Sequence, residues 1–354
     1  MKIAVTADLH LTSLQDHAER YHALENILDQ MLMEAIHTMI IAGDLFDVHI
    51  RNYAEFDALC QKPKYRDIQF HIIPGNHDSQ IDSRMFTSDN VKIHSKSGIH
   101  SFDLISVPFL FLPYQKDKTM GEEIATWRSE LPPNEWILIG HGDWMESIQE
   151  SNPLEPGVYM VLTRSDVESF KPAQVVLGHV HKPLDKDQVH YTGSPCGLDI
   201  SETGKRRFLI IDSEDGSVMS KTVDTDIIFF DESFIMLPVE DEKIFIKKQV
   251  QSRMKEWNIK ESDRNKIRMR VKVNGYSADK NGLMMTLKEC FEGLSFYQDQ
   301  EPDLSGVSIS DDVDRAEITR RVLEKIRALK WPENEEEPSK EQMMLEALHV
   351  IYGD

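Results

Sequence analysis

The sequence predicts an α/β fold: a two-sheet sandwich flanked by helices, then a small α/β unit, then a helical extension at the C-terminus. Three observations predict it. Short apolar runs alternate with stretches of helical periodicity through the first hundred residues. Five such runs also end in metal-type side chains. They are Ile3–Thr6 before Asp8 and His10, Met39–Ala42 before Gly43-Asp44, and Gln69–Ile73 before Pro74-Gly75-Asn76-His77-Asp78. The other two are Trp136–Ile139 before Gly140-His141 and Val175–Leu177 before Gly178-His179-Val180-His181. Loops at the carboxyl ends of strands converge on one edge of an α/β sheet, so the repetition gathers these side chains there. Around Pro238 the pattern restarts as helix, strand, helix, strand.

Taken in order, Ile3–Thr6 is a buried strand, and Asp16 followed by Glu19 marks a helix start. Ala18, Tyr21, Leu24, Ile27, Leu28, Met31, Leu32 and Ala35 then recur at helical spacing. Met39–Ala42 is the next strand, Tyr53 to Cys60 a helix, and Gln69–Ile73 a strand. From Val91 strands dominate: Val91–His94, Phe102–Ser106, Pro108–Pro113 and Trp136–His141. A strand-helix pattern returns at Val161–Ser169, followed by strands at Val175–Leu177, Gln188–Thr192 and Arg207–Asp212. Ser217–Val223 is a hairpin partner for the last of these.

Beyond Pro238, Asp241 to Trp257 is helical, Ile267–Asn274 is an alternating strand, Ala278–Cys290 is helical and Leu294–Tyr297 is a strand. Arg268, Arg270 and Lys272 share one face of the alternating strand. Val313 to Leu329 is helical, Trp331 to Ser339 is an acidic linker, and Glu341 to Tyr352 is an amphipathic helix. Its stripe of Met343, Met344, Leu345, Leu348 and Ile351 either folds back on the body or docks on another protein. The domains expected are residues 1–237, 238–305 and 306–354.

Composition narrows the class. At 354 residues with 40% hydrophobic content the chain can bury a sizeable core. No apolar run approaches the roughly 20 residues that span a bilayer, so no membrane partner is expected. Met1-Lys2 runs directly into a strand, and Cys60, Cys196 and Cys290 are far apart; both features fit reduced thiols in the cytoplasm. The net charge of −21 opposes nucleic-acid binding, yet it is unevenly spread. Lys243 to Lys272 holds eleven basic and three acidic residues, whereas Asp299 to Asp354 holds fifteen acidic and seven basic. The basic block is a nucleic-acid face or a solvated helix surface; the acidic tail is a protein-binding end or a solubilising one.

Asp8, His10, Asp44, Asn76, His141, His179 and His181 supply carboxylates, imidazoles and an amide oxygen without thiolate. That set suits Mn²⁺, Fe²⁺ or Zn²⁺, and seven donors exceed the needs of one ion. Two ions about 3.5–4 Å apart activate a bridging hydroxide and clamp the oxygens of an in-line displacement at phosphorus. Asp44, after Gly43, is the natural shared carboxylate. His77 is placed to protonate the leaving oxygen, with Asp78 orienting it through the other ring nitrogen.

Asp-x-His, Gly-Asp, Gly-Asn-His-Asp, Gly-His and Gly-His-x-His, in this order over roughly Met1 to Asp212, resemble the calcineurin-like metallophosphoesterase superfamily. The resemblance implies a two-sheet metallophosphoesterase sandwich. One ion would sit on Asp8, His10, Asp44 and His181, the other on Asp44, Asn76, His141 and His179, with His77 as catalytic histidine. Gly43-Asp44-Leu45-Phe46-Asp47 and Tyr191-Thr192-Gly193-Ser194-Pro195 further resemble the SbcD-type DNA repair nucleases. Thr12 and Leu9 depart from residues usual in those relatives, and Asp47 stands where archaeal and eukaryotic ones carry histidine. That likeness implies an Mn²⁺-dependent exo/endonuclease with a capping domain, Ser194, Arg268 and Arg270 on substrate, and a possible homodimer. It also implies that the C-terminal helices dock on an SbcC-like SMC-type ATPase. The alternatives are a small-molecule phosphodiesterase or phosphatase of the same superfamily, or a non-enzymatic DNA-end scaffold.

Overall fold

The computed structural model describes residues 1–48, 53–102, 107–145, 159–331 and 338–352. The chain forms two compact units, Met1–Leu198 with Lys205–Ile227, and Asp199–Gly204 with Ile228–Asp354. Among the described residues no helix is long and apolar enough to cross a membrane.

The first unit begins β1 (Lys2–Thr6), α1 (Ala18–Met33), β2 (Thr38–Ala42), α2 (Ala54–Cys60), β3 (Gln69–Ile73) and β4 (Val91–Ile93). It continues β5 (Gly98–His100), β6 (Phe109–Leu112), α3 (Met120–Trp127), β7 (Ile137–His141), β8 (Trp144–Met145), β9 (Leu162–Thr163) and α4 (Arg164–Phe170). It closes with β10 (Gln174–Gly178), β11 (Leu184–Lys186), β12 (Val189–Tyr191), β13 (Arg207–Asp212) and β14 (Val218–Thr222). Two six-stranded sheets result, ordered β14-β13-β1-β2-β3-β4 and β11-β12-β10-β7-β6-β5. The inner strands β1 to β4 run parallel, as do β12, β10, β7 and β6.

Alternation within these strands builds the layers. Ala4, Met39, Ile41, Phe70 and Ile72 pack under Leu24, Ile27 and Leu28 of α1. Their neighbours Ile3, Val5, Ile40, Ala42 and Ile73 face Phe109, Phe111, Ile137, Ile139 and Val176 of the other sheet. A third core sets Leu110, Leu138, Val175 and Leu177 against Met120, Ile124 and Val167 of α3 and α4. Strands covered on both faces have no polar register, which is why these runs read as continuously apolar.

The sequence reading needs local corrections. α1 starts at Ala18 with no side-chain cap from His17, and Asp16 instead accepts a hydrogen bond from Ser13 Oγ at 2.7 Å. α3 was not expected, although Thr119 and Glu122 form a capping box at its start. Residues 103–106 of the expected strand Phe102–Ser106 and much of the linker Trp331–Ser339 lie outside the described residues.

The second unit comprises β15 (Ile228–Met236), α5 (Glu242–Glu256), β16 (Ile267–Ser277), α6 (Lys280–Cys290), β17 (Ser295–Phe296), β18 (Asp303–Ile309), α7 (Val313–Ala328) and α8 (Lys340–Tyr352). The central strand β16 pairs in parallel with β15, β17 and β18. Met269, Val271 and Val273 of β16 pack under Ile246, Val250, Leu283 and Leu287 of α5 and α6. The break at Ile228, ten residues before the expected boundary at 238, follows from the pairing of β15 along β16. The expected boundary at 306 falls inside β18, and the C-terminal helices join the same unit. α8 folds back: Leu348 and Tyr352 are buried with Ile235, Leu237 and Leu323, and the Tyr352 ring stacks on Tyr276 at 4.2 Å.

At one edge of the first unit the imidazoles of His71 and His94 are half-buried and held neutral. Burial, helped by His100 and Lys92, pushes their pKa down to about 4 and about 3 respectively. In the unfolded chain both titrate near 6.5, so between those values the unfolded state binds the extra protons. Their stabilisation is therefore complete above about pH 6.5 and is lost as pH falls through the folded values. Discounted for partial exposure, the loss is on the order of 1–3 kcal/mol. Urea unfolding of metal-free protein from pH 7 to 4 should show a shallower decline for His94→Phe than for the parent; parallel slopes would refute the assignment.

Candidate metal centre

Because the inner strands run parallel, β1, β2, β3, β7 and β10 deliver their carboxyl ends to one rim of the two sheets. The seven expected ligands stand there. Asp8, His10, Asp44, His141 and His179 are each at most 2% exposed. The backbone turns sharply to place them. Asp8 (φ 54°), His10 (φ 42°), Asp44 (φ 50°) and His179 (φ 94°) all adopt the left-handed region that side chains other than glycine avoid. Such strain costs about 1–3 kcal/mol per residue and persists where surrounding structure over-determines it.

Asp44 lies at the middle. Its Oδ1 accepts the His77 backbone N–H at 2.9 Å. Its Oδ2 lies 3.6 Å from His10 Nε2 and 3.3 Å from His141 Nε2. On one side, His10 Nε2 and His181 Nε2 are 3.0 Å apart, close to Asp8. On the other, Asn76 Oδ1 is 2.9 Å from His141 Nε2 and 3.2 Å from His179 Nδ1. A carboxylate flanked by two donor groups is the arrangement expected of a shared ligand.

The donor set fits divalent cations. His141 Nδ1 donates to the Ala42 carbonyl at 2.8 Å, so its Nε2 carries the lone pair, yet that nitrogen faces two acceptor oxygens. Asp8 gives Oδ1 to the His179 N–H, while its buried Oδ2 lacks any hydrogen-bond partner. Acceptors facing acceptors repel unless positive charge stands between them. The protein alone answers with protons. Despite burial, Asp44 draws the His141 pKa up to about 9, and burial raises that of Asp8. Burial of Asp44 is outweighed by the imidazoles of His141, His10 and His77, which hold its carboxyl well below the usual range. Among the described residues, three groups could hold an ion: Asp8, His10 and His181; Asp8, Asp44 and His141; and His10, Asp44 and His77. Oxygen and imidazole donors without thiolate match first-row divalent ions.

Around this core several side chains also meet partners that the sequence does not predict. His77 is at the rim, its ring 4.6 Å from that of His10. The carboxylate facing its Nδ1, at 3.4 Å, is Asp47. Asp78, expected to orient His77, accepts from the backbone N–H groups of Gly75 at 2.8 Å and Phe46 at 3.2 Å, stapling the two loops. Burial, then the nearby Asp44 charge, raise its pKa to about 6. Ser194, expected on substrate, is fully buried and its Oγ accepts from Arg206 at 2.6 Å. Arg206 also donates to the Ser194 and His181 carbonyls, and Arg20 of α1 donates to the His10 carbonyl. Asp143 Oδ1 lies 3.5 Å from His179 Nε2. Nothing in periodicity singles out Arg20, Arg206 or Asp143, because each acts through a partner remote in the chain. Arg268 and Arg270 belong to the second unit. Arg268 donates to the Asn265 and Ile267 carbonyls, and Arg270 makes a two-pronged pair with Asp231.

Gly43 and Gly75 are among the glycines that close approach requires. A Cβ on Gly43 (φ 93°) would lie 2.0 Å from His141 Nδ1, and one on Gly75 would lie 2.1 Å from Asp44 Oδ1. Gly75→Ala is thus expected to displace Asp44 and weaken divalent-ion binding at least about tenfold, about 1.4 kcal/mol, which titration calorimetry would register. Unchanged affinity would show that Asp44 is not a ligand.

This chain is similar to several known proteins. A curated relative, the SbcD component of the nuclease SbcCD from Staphylococcus saprophyticus, is 23% identical over 262 aligned residues, covering 63% of this chain and 68% of its own. An archaeal phosphodiesterase structure is 14% identical with a TM-score of 0.34, covering 63% of this chain and 100% of its own. GAP50, the anchor in the inner membrane complex of Plasmodium, is 9% identical with a TM-score of 0.38, covering 64% and 89%. The calcineurin-like phosphoesterase model matches residues 1–209, the stretch that carries every strand end of this rim. With more than half its length matched, the chain belongs to the calcineurin-like phosphoesterase family.

Proposed function

We propose that this protein is the nuclease component of a DNA-end-processing complex, hydrolysing phosphodiesters with two divalent ions, Mn²⁺ in the favoured case. The observation that supports it most is Asp44 flanked by two facing donor groups, in a chain related to the SbcD component of a nuclease. Asp8, His10, Asp44 and His181 would hold one ion, and Asp44, Asn76, His141 and His179 the other. Divalent ions there would act as Lewis acids on the phosphodiester and lower the pKa of the attacking water.

The chain's own residues do the rest. The His77 N–H fixes the orientation of Asp44, and the Ala42 carbonyl fixes the tautomer of His141. Facing His10 and His77 hold the Asp47 carboxyl far below its ordinary range, so it stays ionised beside His77 Nδ1. A proton on Nδ1 leaves Nε2 to carry the one delivered to the leaving oxygen. Asp8→Ala and His77→Ala proteins should lose Mn²⁺-dependent cleavage of single- and double-stranded DNA. Absence of DNA cleavage by the parent, with or without an SMC-type ATPase, would sink the reading. The favoured partner surface lies on α7 and α8, where Ile318 and Val350 are exposed.

A small-molecule phosphodiesterase is the second reading, favoured by the pairing of Arg270 with Asp231 and by the net charge of −21. The basic face decides between them. If it binds DNA, Arg268→Gln with Arg270→Gln should flatten the salt dependence of affinity by about one unit per lost phosphate contact. An unchanged slope removes β16 from the interface, and hydrolysis of aryl or cyclic phosphodiesters without DNA binding favours the smaller substrate.

A further inference from the structure

Tyr191 opens the segment Tyr191-Thr192-Gly193-Ser194-Pro195 and is neither a ligand nor a catalytic group of the metal centre. It ends β12 and is buried. Its hydroxyl donates to the Gly142 carbonyl at 2.9 Å and accepts the Trp144 N–H at 2.7 Å, so it grips the backbone on both sides of Asp143. The Asp143 N–H donates to the Tyr159 carbonyl, and the Asp143 carbonyl accepts the Leu162 N–H, each at 2.8 Å. Asp143 is itself buried. One carboxylate oxygen accepts the Tyr159 N–H at 2.8 Å, and the other lies 3.5 Å from His179 Nε2.

We propose that Asp143, gripped by Tyr191, is a positioning residue that keeps the His179 proton on Nε2 and so leaves Nδ1 for a divalent ion. The inference rests on the two-ion reading above. A carboxylate accepts hydrogen bonds and donates none, so the imidazole nitrogen that faces it carries the proton. The lone pair then falls on Nδ1, 3.2 Å from Asn76 Oδ1. Two acceptors at that distance repel, the same conflict as between His141 Nε2 and Asn76 Oδ1, and a cation relieves both. The ring is also wedged in place, with Tyr159 against it at 4.7 Å and His141 edge-on at 5.5 Å. Holding the second nitrogen of a ligand histidine in this way is worth roughly 10–100-fold in metal affinity or activity. Asparagine at 143 would offer one acceptor oxygen to two donors, the Tyr159 N–H and His179 Nε2–H.

Two readouts test this on the full chain: calorimetry of metal-free protein with Mn²⁺, and nitrogen NMR of the histidine rings with Zn²⁺ as a diamagnetic probe. In the zinc-loaded parent the His179 ring should carry its proton on Nε2. Asp143→Asn should weaken one of the two Mn²⁺ ions roughly 10–100-fold and leave the other at the parent's affinity. Tyr191→Phe should weaken the same ion by less. Circular dichroism of the metal-free proteins verifies folding. A His179 proton on Nδ1 in the zinc-loaded parent overturns the assignment without recourse to any variant. Folded Asp143→Asn protein that binds both ions as the parent does overturns it too, and leaves the two-ion reading intact. A parent that takes up no ion defeats that reading and this inference together.

Discussion

Asp44→Asn is expected to reduce metal-dependent phosphodiester hydrolysis by about three orders of magnitude. The side chain keeps its shape but loses the one charge that both donor groups face, across 3.6 Å to His10 and 3.3 Å to His141. Metal ions contribute several kcal/mol to such reactions, and each ~1.4 kcal/mol is a factor of ten. Folding should survive, because the amide oxygen can still accept the His77 N–H, although the metal-free protein loses the charge that the His141 and His10 imidazoles face. The diagnostic is therefore a split result. Without metal, the variant should still unfold in one cooperative transition, while the melting-temperature rise on adding Mn²⁺ should collapse. A variant that keeps the Mn²⁺-induced rise would remove Asp44 from the ligand set and, with it, the shared-carboxylate arrangement.

The second large effect concerns His77. General acid catalysis is worth roughly 10²–10⁴-fold, so His77→Ala should lose that much in kcat while ion stoichiometry stays at the parent's value. Asp47 acts through His77, lying 3.4 Å from its Nδ1, and Asp47→Asn should cost less, about tenfold to a hundredfold, with KM little changed. The combination distinguishes roles. If the double variant is no worse than His77→Ala alone, Asp47 works by positioning the imidazole. Asp78→Asn should instead lower stability, because it gives up acceptors for the Gly75 and Phe46 N–H groups. Equal kinetic losses from Asp47→Asn and Asp78→Asn at unchanged stability would contradict this division.

Much of this arrangement was legible without coordinates. Apolar periodicity located most strands of both sheets, and the residue types at five strand ends named the candidate ligands, because parallel strands must bring their carboxyl ends to one rim. Weak signals were lost. α3 is short and its apolar stripe brief, β15 follows the first unit without a turn signal strong enough to mark a new one, and β18 alternates poorly.

What the sequence determined by itself is the inventory: which side chains reach the rim, which faces of β16 are cationic and which apolar, and which family the motifs belong to. The tertiary structure alone decided the pairings. Asp47 faces His77 while Asp78 staples backbone; Arg206 occupies Ser194; Asp231 neutralises Arg270; and α8 lies on its own unit. Periodicity is a property of one chain segment and reports which way a side chain points. A hydrogen bond or ion pair depends on two segments and on a gap of a few tenths of an ångström, set by the packing of residues far apart in the chain.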